Sequence, residues 1–126
     1  MHYKLYLSNN VKLALKLNLD GAYIPAFNRD LRCNSYHFKK KFKIIGSAHN
    51  LKELRTKELQ NVDYLFLSPL FLSKKNKNQL GIYRFINLSK QTNKKIICLG
   101  GINKDNIKKI NLIKPYGIAA ISYFQN

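Results

Sequence analysis

The apolar run Ile96-Ile97-Cys98-Leu99 passes directly into Gly100-Gly101-Ile102-Asn103. A β-branched run of this kind reads as a buried strand, and Asn103 reads as the cap of a helix running through Ile110. Two glycines then make the whole connection, which is the mark of a βα unit. Parallel strands need such crossovers, so this turn points to an α/β chain built around a parallel sheet.

The same alternation recurs along the chain. Tyr3 to Leu7 reads as a strand, Val11 to Leu17 as a helix, and Gly21-Ala22-Tyr23-Ile24 as a second strand stopped by Pro25. Residues 26–41 are irregular and basic, with room for one short helical turn. Phe42 to Gly46 is a third strand, followed by a helix that Asn50 and Glu53 cap and that runs to about Gln60. Tyr64-Leu65-Phe66-Leu67 is a fourth, apolar throughout and so expected to be buried on both faces. A polar loop over Ser73 to Gln79, a helix over Tyr83 to Gln91, the Ile96 to Leu99 strand and a last strand from Gly117 to Ser122 complete six strands. No linker or shift in composition divides them, so residues 1–126 read as one domain.

The formal net charge of +17 would ordinarily suggest an anionic polymer as partner. Its make-up argues otherwise. Of the 23 basic residues 19 are Lys and four are Arg, whereas readers of bases and phosphates lean on the bidentate fork of Arg. With 15 Asn as well, the excess resembles the residue bias of an AT-rich genome, and nucleic acid is not expected as a partner. No run approaches the length of a membrane span, and the N-terminal residues lack a secretory apolar core, so a cytoplasmic protein is expected. Cys33 and Cys98 stand in unrelated contexts and suggest neither a disulfide nor a zinc site.

In parallel β/α folds the loops after the strands carry the chemistry. After the fifth strand, Gly100 and Gly101 allow main-chain amides to approach an anion that also feels a helix N-terminus. After the sixth, Ile121 and Ser122 can add an amide and a hydroxyl. The loops following a barrel's last two strands commonly form such a phosphate site. After the third strand, Gly46-Ser47-Ala48-His49 offers a hydroxyl and an imidazole, with His49 suited to acid, base or phosphate contact. After the fourth, Ser68-Pro69-Leu70-Phe71 leads to Ser73, Lys74 and Lys75, where a hydroxyl and ammonium groups would hold an anion. Of the carboxylates, Asp30 alone lies near the C-terminal side of a strand.

Taken in order, these motifs resemble the thiamine phosphate synthase and TenI family of phosphate-binding β/α barrels. The stretch Ile45 to His49 is similar to that family's Gly-x-Ser-x-His turn, Ser68 to Ser73 to its Pro-Val-Phe loop, Leu80-Gly81 to the Leu-Gly that follows, and Leu99 to Ile102 to its Ile-Gly-Gly-Ile loop. Leu5 to Asn9, Gly21 to Asp30 and Gly117 to Ser122 resemble further strands. The resemblance implies an incomplete TIM-type barrel whose six strands correspond to strands 3 to 8 of the family. Counterparts of the first two, including a basic diphosphate-binding motif, are not in this sequence. The first strand is then a sheet edge, to be covered by an upstream segment or by a second copy of the chain in a homo-oligomer.

The resemblance also implies thiazole phosphate on Gly100, Gly101, Ile121 and Ser122, with Ser73 helping to position it; Lys75 as a phosphate contact and Ser47 and His49 as catalytic candidates come from their own loops. The family's synthase joins aminopyrimidine methyl diphosphate to thiazole phosphate with release of pyrophosphate, aided by Mg2+. Here its magnesium Asp corresponds to Asn9 and the neighbouring Asn to Ser8. Its second carboxylate corresponds to Asn28 or, across a short insertion, to Asp30. Two alternatives stay open: a TenI-like thiazole tautomerase using His49 without metal, and a silent thiazole-phosphate-binding protein.

Overall fold

In this computed structural model the structure describes residues 3–71 and 80–120. The elements are β1 (Tyr6–Ser8), α1 (Val11–Lys16), β2 (Gly21–Ile24), β3 (Lys43–Ala48), α2 (Leu51–Leu59), β4 (Tyr64–Leu67), α3 (Gly81–Ser89), β5 (Lys95–Leu99) and β6 (Gly117–Ala119), with 3-10 turns at Arg32–Ser35 and Ile107–Leu112. The strands lie side by side in sequence order, β1-β2-β3-β4-β5-β6, in one sheet. The pairs β1–β2, β2–β3 and β5–β6 are parallel. This is the α/β class that the alternating pattern implies. Two compact units divide the chain between Leu65 and Phe66, inside β4.

The first unit packs Ala14, Ala22, Ile24, Ile44, Leu54, Val62 and Leu65 into its core. Asn10 caps α1, its side chain accepting from the Leu13 N–H, and Asn50 caps α2 by accepting from Glu53 N–H. Each satisfies one of the amide donors that a helix start leaves open. Asp20 and Asp63 tie loop to strand, accepting from the Leu5 and Ile44 N–H groups at 2.8 Å each. On α2 the buried stripe is Leu54, Lys57 and Gln60, so a cation and an amide occupy positions at three-residue spacing that would ordinarily be apolar.

The second unit is centred on Leu67, Leu70, Phe85, Leu88, Ile96, Cys98, Ile102 and Ile110. Phe85 and Leu88, three residues apart, form the inner face of α3, while Tyr83 points out.

Several boundaries differ from the sequence-based expectation. β1 begins at Tyr6 rather than Tyr3, and Tyr3 and Leu5 are exposed. β3 extends to Ala48 because its small residues Gly46, Ser47 and Ala48 are buried and continue the ladder. β4 is not buried on both faces: Leu65 and Leu67 are inside, while Tyr64 and Phe66 are half-buried. The helix expected from Tyr83 begins at Gly81. No α-helix runs from Asn103 to Ile110. The Asn103 side chain does cap this turn, accepting from the Asp105 and Asn106 N–H groups at 2.9 and 3.0 Å while Ile107 N–H donates to its main-chain carbonyl at 3.0 Å, but the winding that follows is a 3-10 segment over Ile107–Leu112. The loop over Ser73 to Gln79 and the end of the last strand lie outside the described residues.

Candidate functional site

In the first unit, the ends of β1 and β2 carry Asn9, Asn28 and Asp30, the metal positions expected from the sequence. Asn9 follows β1 in left-handed backbone, φ 58°, a conformation that Asn tolerates better than most side chains. Its N–H donates to the Tyr23 carbonyl at 2.7 Å, which fixes it against β2. Asn28 lies beyond Pro25 and donates through Nδ2 to Asn9 Oδ1 at 2.6 Å. Its own Oδ1 accepts from the Asp30 N–H at 2.8 Å.

Asp30, the candidate metal ligand, is engaged by Arg32. Oδ1 accepts from the Arg32 N–H at 2.9 Å, and Oδ2 from Arg32 Nε at 2.6 Å, with the other end of the guanidinium beside it. These hydrogen bonds hold the carboxyl below the usual carboxylate range. Asn9, Asn28, Asp30, Arg32, Lys12 and Tyr36 are among the residues lining a cavity of about 240 Å³.

Beneath this segment is a network for which the apolar pattern gives no signal. Lys57 is fully buried, and its Nζ donates to the Asn28 carbonyl and to Gln60 Oε1, both at 2.8 Å. Gln60 Nε2 donates to the carbonyls of Asn28 and Asp30 at 2.9 and 3.0 Å. Burial pushes the Lys57 ammonium down to about 8. A neutral amine has two N–H groups to give, and two acceptors stand within reach. The lysine stem runs close under β3, where a Cβ on Gly46 would lie 2.7 Å from Lys57 Cδ. Side chains of α2 and its C-cap residue thereby hold main-chain oxygens of the loop after β2.

At β3 the expected serine and histidine separate in role. Ser47 is not in a loop: it is a buried strand residue, and the Tyr23 hydroxyl donates to its Oγ at 2.8 Å. His49 stands just beyond the strand, about half-exposed, with Nδ1 3.0 Å from Glu53 Oε2. The same carboxylate oxygen accepts from the His49 main-chain N–H at 2.6 Å. A carboxylate facing Nδ1 favours the tautomer that carries its proton there, leaving Nε2 as the acceptor of the neutral ring.

In the second unit the glycine turn has left-handed backbone at both residues, with φ 104° at Gly100 and 67° at Gly101. A Cβ on Gly100 would stand 2.8 Å from Pro69 Cα and 2.9 Å from Pro69 Cβ, so the close approach itself requires glycine. Two main-chain bonds join this turn to the loop after β4: Leu70 N–H to Leu99 O at 2.9 Å and Phe71 N–H to Gly100 O at 3.1 Å. Asn106 Nδ2 donates to Gly101 O at 2.8 Å. All these bonds use carbonyls of the turn and none uses the Gly100 or Gly101 N–H. Ser73, Lys75, Ile121 and Ser122 lie outside the described residues.

Among the described residues no group of three or more His, Cys, Asp or Glu side chains is placed to hold a metal ion, and no helix is long and apolar enough to cross a membrane. Six strands laid side by side in sequence order in one sheet, with helices between them, give the α/β arrangement of an incomplete β/α barrel. Within that class the chain belongs to the thiamine monophosphate synthase family, whose model matches residues 1–124.

The chain is 32% identical over 119 residues to a thiamine-phosphate synthase of Prochlorococcus marinus, covering 92% of this chain and 34% of that protein. It is 32% identical over 121 residues to that of Staphylococcus haemolyticus, covering 92% of this chain and 56% of that one. The same fold is seen in a thiamine phosphate pyrophosphorylase from Pyrococcus furiosus, with a TM-score of 0.71 and 22% identity, covering 92% of this chain and 55% of that chain. The chain thus spans between a third and three fifths of the length of these relatives.

Proposed function

We propose that this chain is a thiamine phosphate synthase-like protein of thiamine biosynthesis that holds thiazole phosphate while it is joined to aminopyrimidine methyl diphosphate. The single observation that carries this reading is the Gly100-Gly101 turn, left-handed at both positions and braced through its carbonyls. Main-chain N–H groups in such a turn are suited to phosphate oxygens, because no Cβ stands between them and the ligand. In the joining reaction the thiazole nitrogen forms a bond to the pyrimidine methylene carbon. The bond from that carbon to the diphosphate oxygen breaks, and pyrophosphate leaves with the electron pair. The Gly100-Gly101 turn binds and orients the thiazole partner, so its contribution is positioning. Ser73, Lys75, Ile121 and Ser122 belong to the same proposed phosphate site.

Calorimetry with thiazole phosphate, comparing Gly101→Asp with Gly101→Asn, tests the turn. Both side chains tolerate left-handed backbone, so the pair isolates charge. The Asp variant should bind at least about tenfold more weakly than the Asn variant, because a carboxylate would face the phosphate at short range. Equal affinities would remove the phosphate from this turn. Formation of thiamine phosphate from both substrates tests the reaction itself.

The His49–Glu53 pair favours a second reading, a TenI-like thiazole tautomerase. With Nδ1 held by the carboxylate, Nε2 is free to take and return a proton on the ligand. Isomerisation that persists in His49→Ala would end this reading. Two buried free cysteines, Cys33 and Cys98, fit a reducing cytoplasm.

A further inference from the structure

The magnesium ion that the family resemblance places after β1 and β2 does not fit the residues there. A hard divalent cation asks for several oxygen donors, preferably charged, with lone pairs directed at it. Asn9 and Asn28 are neutral amides, and they are bonded to each other, Asn28 Nδ2 donating to Asn9 Oδ1 at 2.6 Å. Each remaining oxygen already accepts a hydrogen bond, so a cation would have to compete for its second lone pair. Asn28 Oδ1 accepts from Asp30 N–H, and the two oxygens of Asp30 accept from Arg32 N–H and Arg32 Nε. The Arg32 guanidinium, paired with Asp30, adds a positive charge where the cation would have to approach.

We infer that the ends of β1 and β2 are closed to divalent cations, with the Asn9–Asn28 hydrogen bond joining the two loops directly where a metal would otherwise bridge them. Asn28 is held from below as well, because Lys57 and Gln60 donate to its carbonyl. Turning its side chain toward an ion would break the bonds to Asn9 and Asp30 while its backbone stayed pinned. The inference rests on the synthase-like reading only for where magnesium is expected; the hydrogen bonds are independent of it.

The test is titration of the full chain with Mn2+, used as a paramagnetic probe for Mg2+, while backbone amide NMR signals are followed. No selective broadening at Asn9, Asn28 and Asp30 is expected beyond that of the exposed surface. Selective, saturable broadening at these three, competed away by Mg2+, would overturn the inference. The double variant Asn9→Asp/Asn28→Asp should gain at least about tenfold in Mn2+ affinity, since two carboxylates replace the amide pair. If it folds and gains nothing, the amides are not what excludes the ion, and the inference fails on that ground. The NMR titration of the unaltered chain decides the question even where the double variant does not fold. Thiazole phosphate calorimetry without metal reports separately on the proposed function, so either result can fail while the other stands.

Discussion

Lys57 Nζ donates to the Asn28 carbonyl across 2.8 Å from a position with no solvent exposure, tying α2 to the loop after β2. Because burial lowers this ammonium to about 8, the folded chain gives up the proton before the unfolded chain does. Between about pH 8 and the ordinary lysine value of about 10.4, the unfolded state binds more protons, so this group's contribution to stability rises with pH across that window. Below it both states are protonated and the burial cost is borne in full. Denaturant titrations at pH 7.5, 9 and 10 should show a rising component, at most about 1.4 kcal/mol per pH unit. Lys57→Met should lack it.

Ser47 and Tyr23 share a hydrogen bond between neighbouring strands. Deleting either hydroxyl should cost about 1 kcal/mol, and a double-mutant cycle through Tyr23→Phe and Ser47→Ala should return a coupling of about 0.5–1.5 kcal/mol in thermal or chemical unfolding. The Ser47 hydroxyl is committed to Tyr23. Ser47→Ala should therefore keep thiazole phosphate affinity within about threefold, a change well below the tenfold that 1.4 kcal/mol would produce.

Gly100→Ala places a methyl group against the Pro69 backbone and forces left-handed φ on a residue with a Cβ. The expected loss is about 1–3 kcal/mol or more. Hydrogen exchange should locate it, with the Leu70 and Phe71 amides losing protection first because their acceptors are Leu99 O and Gly100 O.

Glu53 joins helix start to histidine, accepting from the His49 N–H and facing its ring. Glu53→Gln keeps the size and an oxygen acceptor but removes the carboxylate that faces Nδ1 and fixes the ring's tautomer. It should cost under about 1 kcal/mol in unfolding experiments. If the tautomerase reading holds, the same change should slow isomerisation by about tenfold or more and leave ligand affinity nearly unaltered.

The elements that are read well from the chain are those whose signal is local. Gly21 to Ile24 is an uninterrupted strand between Asp20 and Pro25, and Asn50 with Glu53 marks the start of α2 without reference to anything distant. The left-handed glycines after β5 also follow from residue type. What the pattern could not convey depends on partners far along the chain. Ser47 looks like a loop hydroxyl until Tyr23, 24 residues earlier, is brought beside it. Lys57 and Gln60 look like solvated helix residues, yet Leu54 three residues before Lys57 sets the stripe that puts both inside. Asp30 reads as a candidate ligand because its pairing with Arg32 is a matter of loop conformation. Asn103 is legible as a cap from residue type, whereas the 3-10 winding that follows it in place of an α-helix is not.

The ties between the glycine turn and the loop after β4 are made by peptide groups. Most substitutions in that neighbourhood leave a peptide group in place, so they can accumulate without loosening it. A lineage drifting toward Lys, Asn and Ile would preserve this corner of the molecule almost passively. Selection need act on little more than the two left-handed glycines, residues 100 and 101.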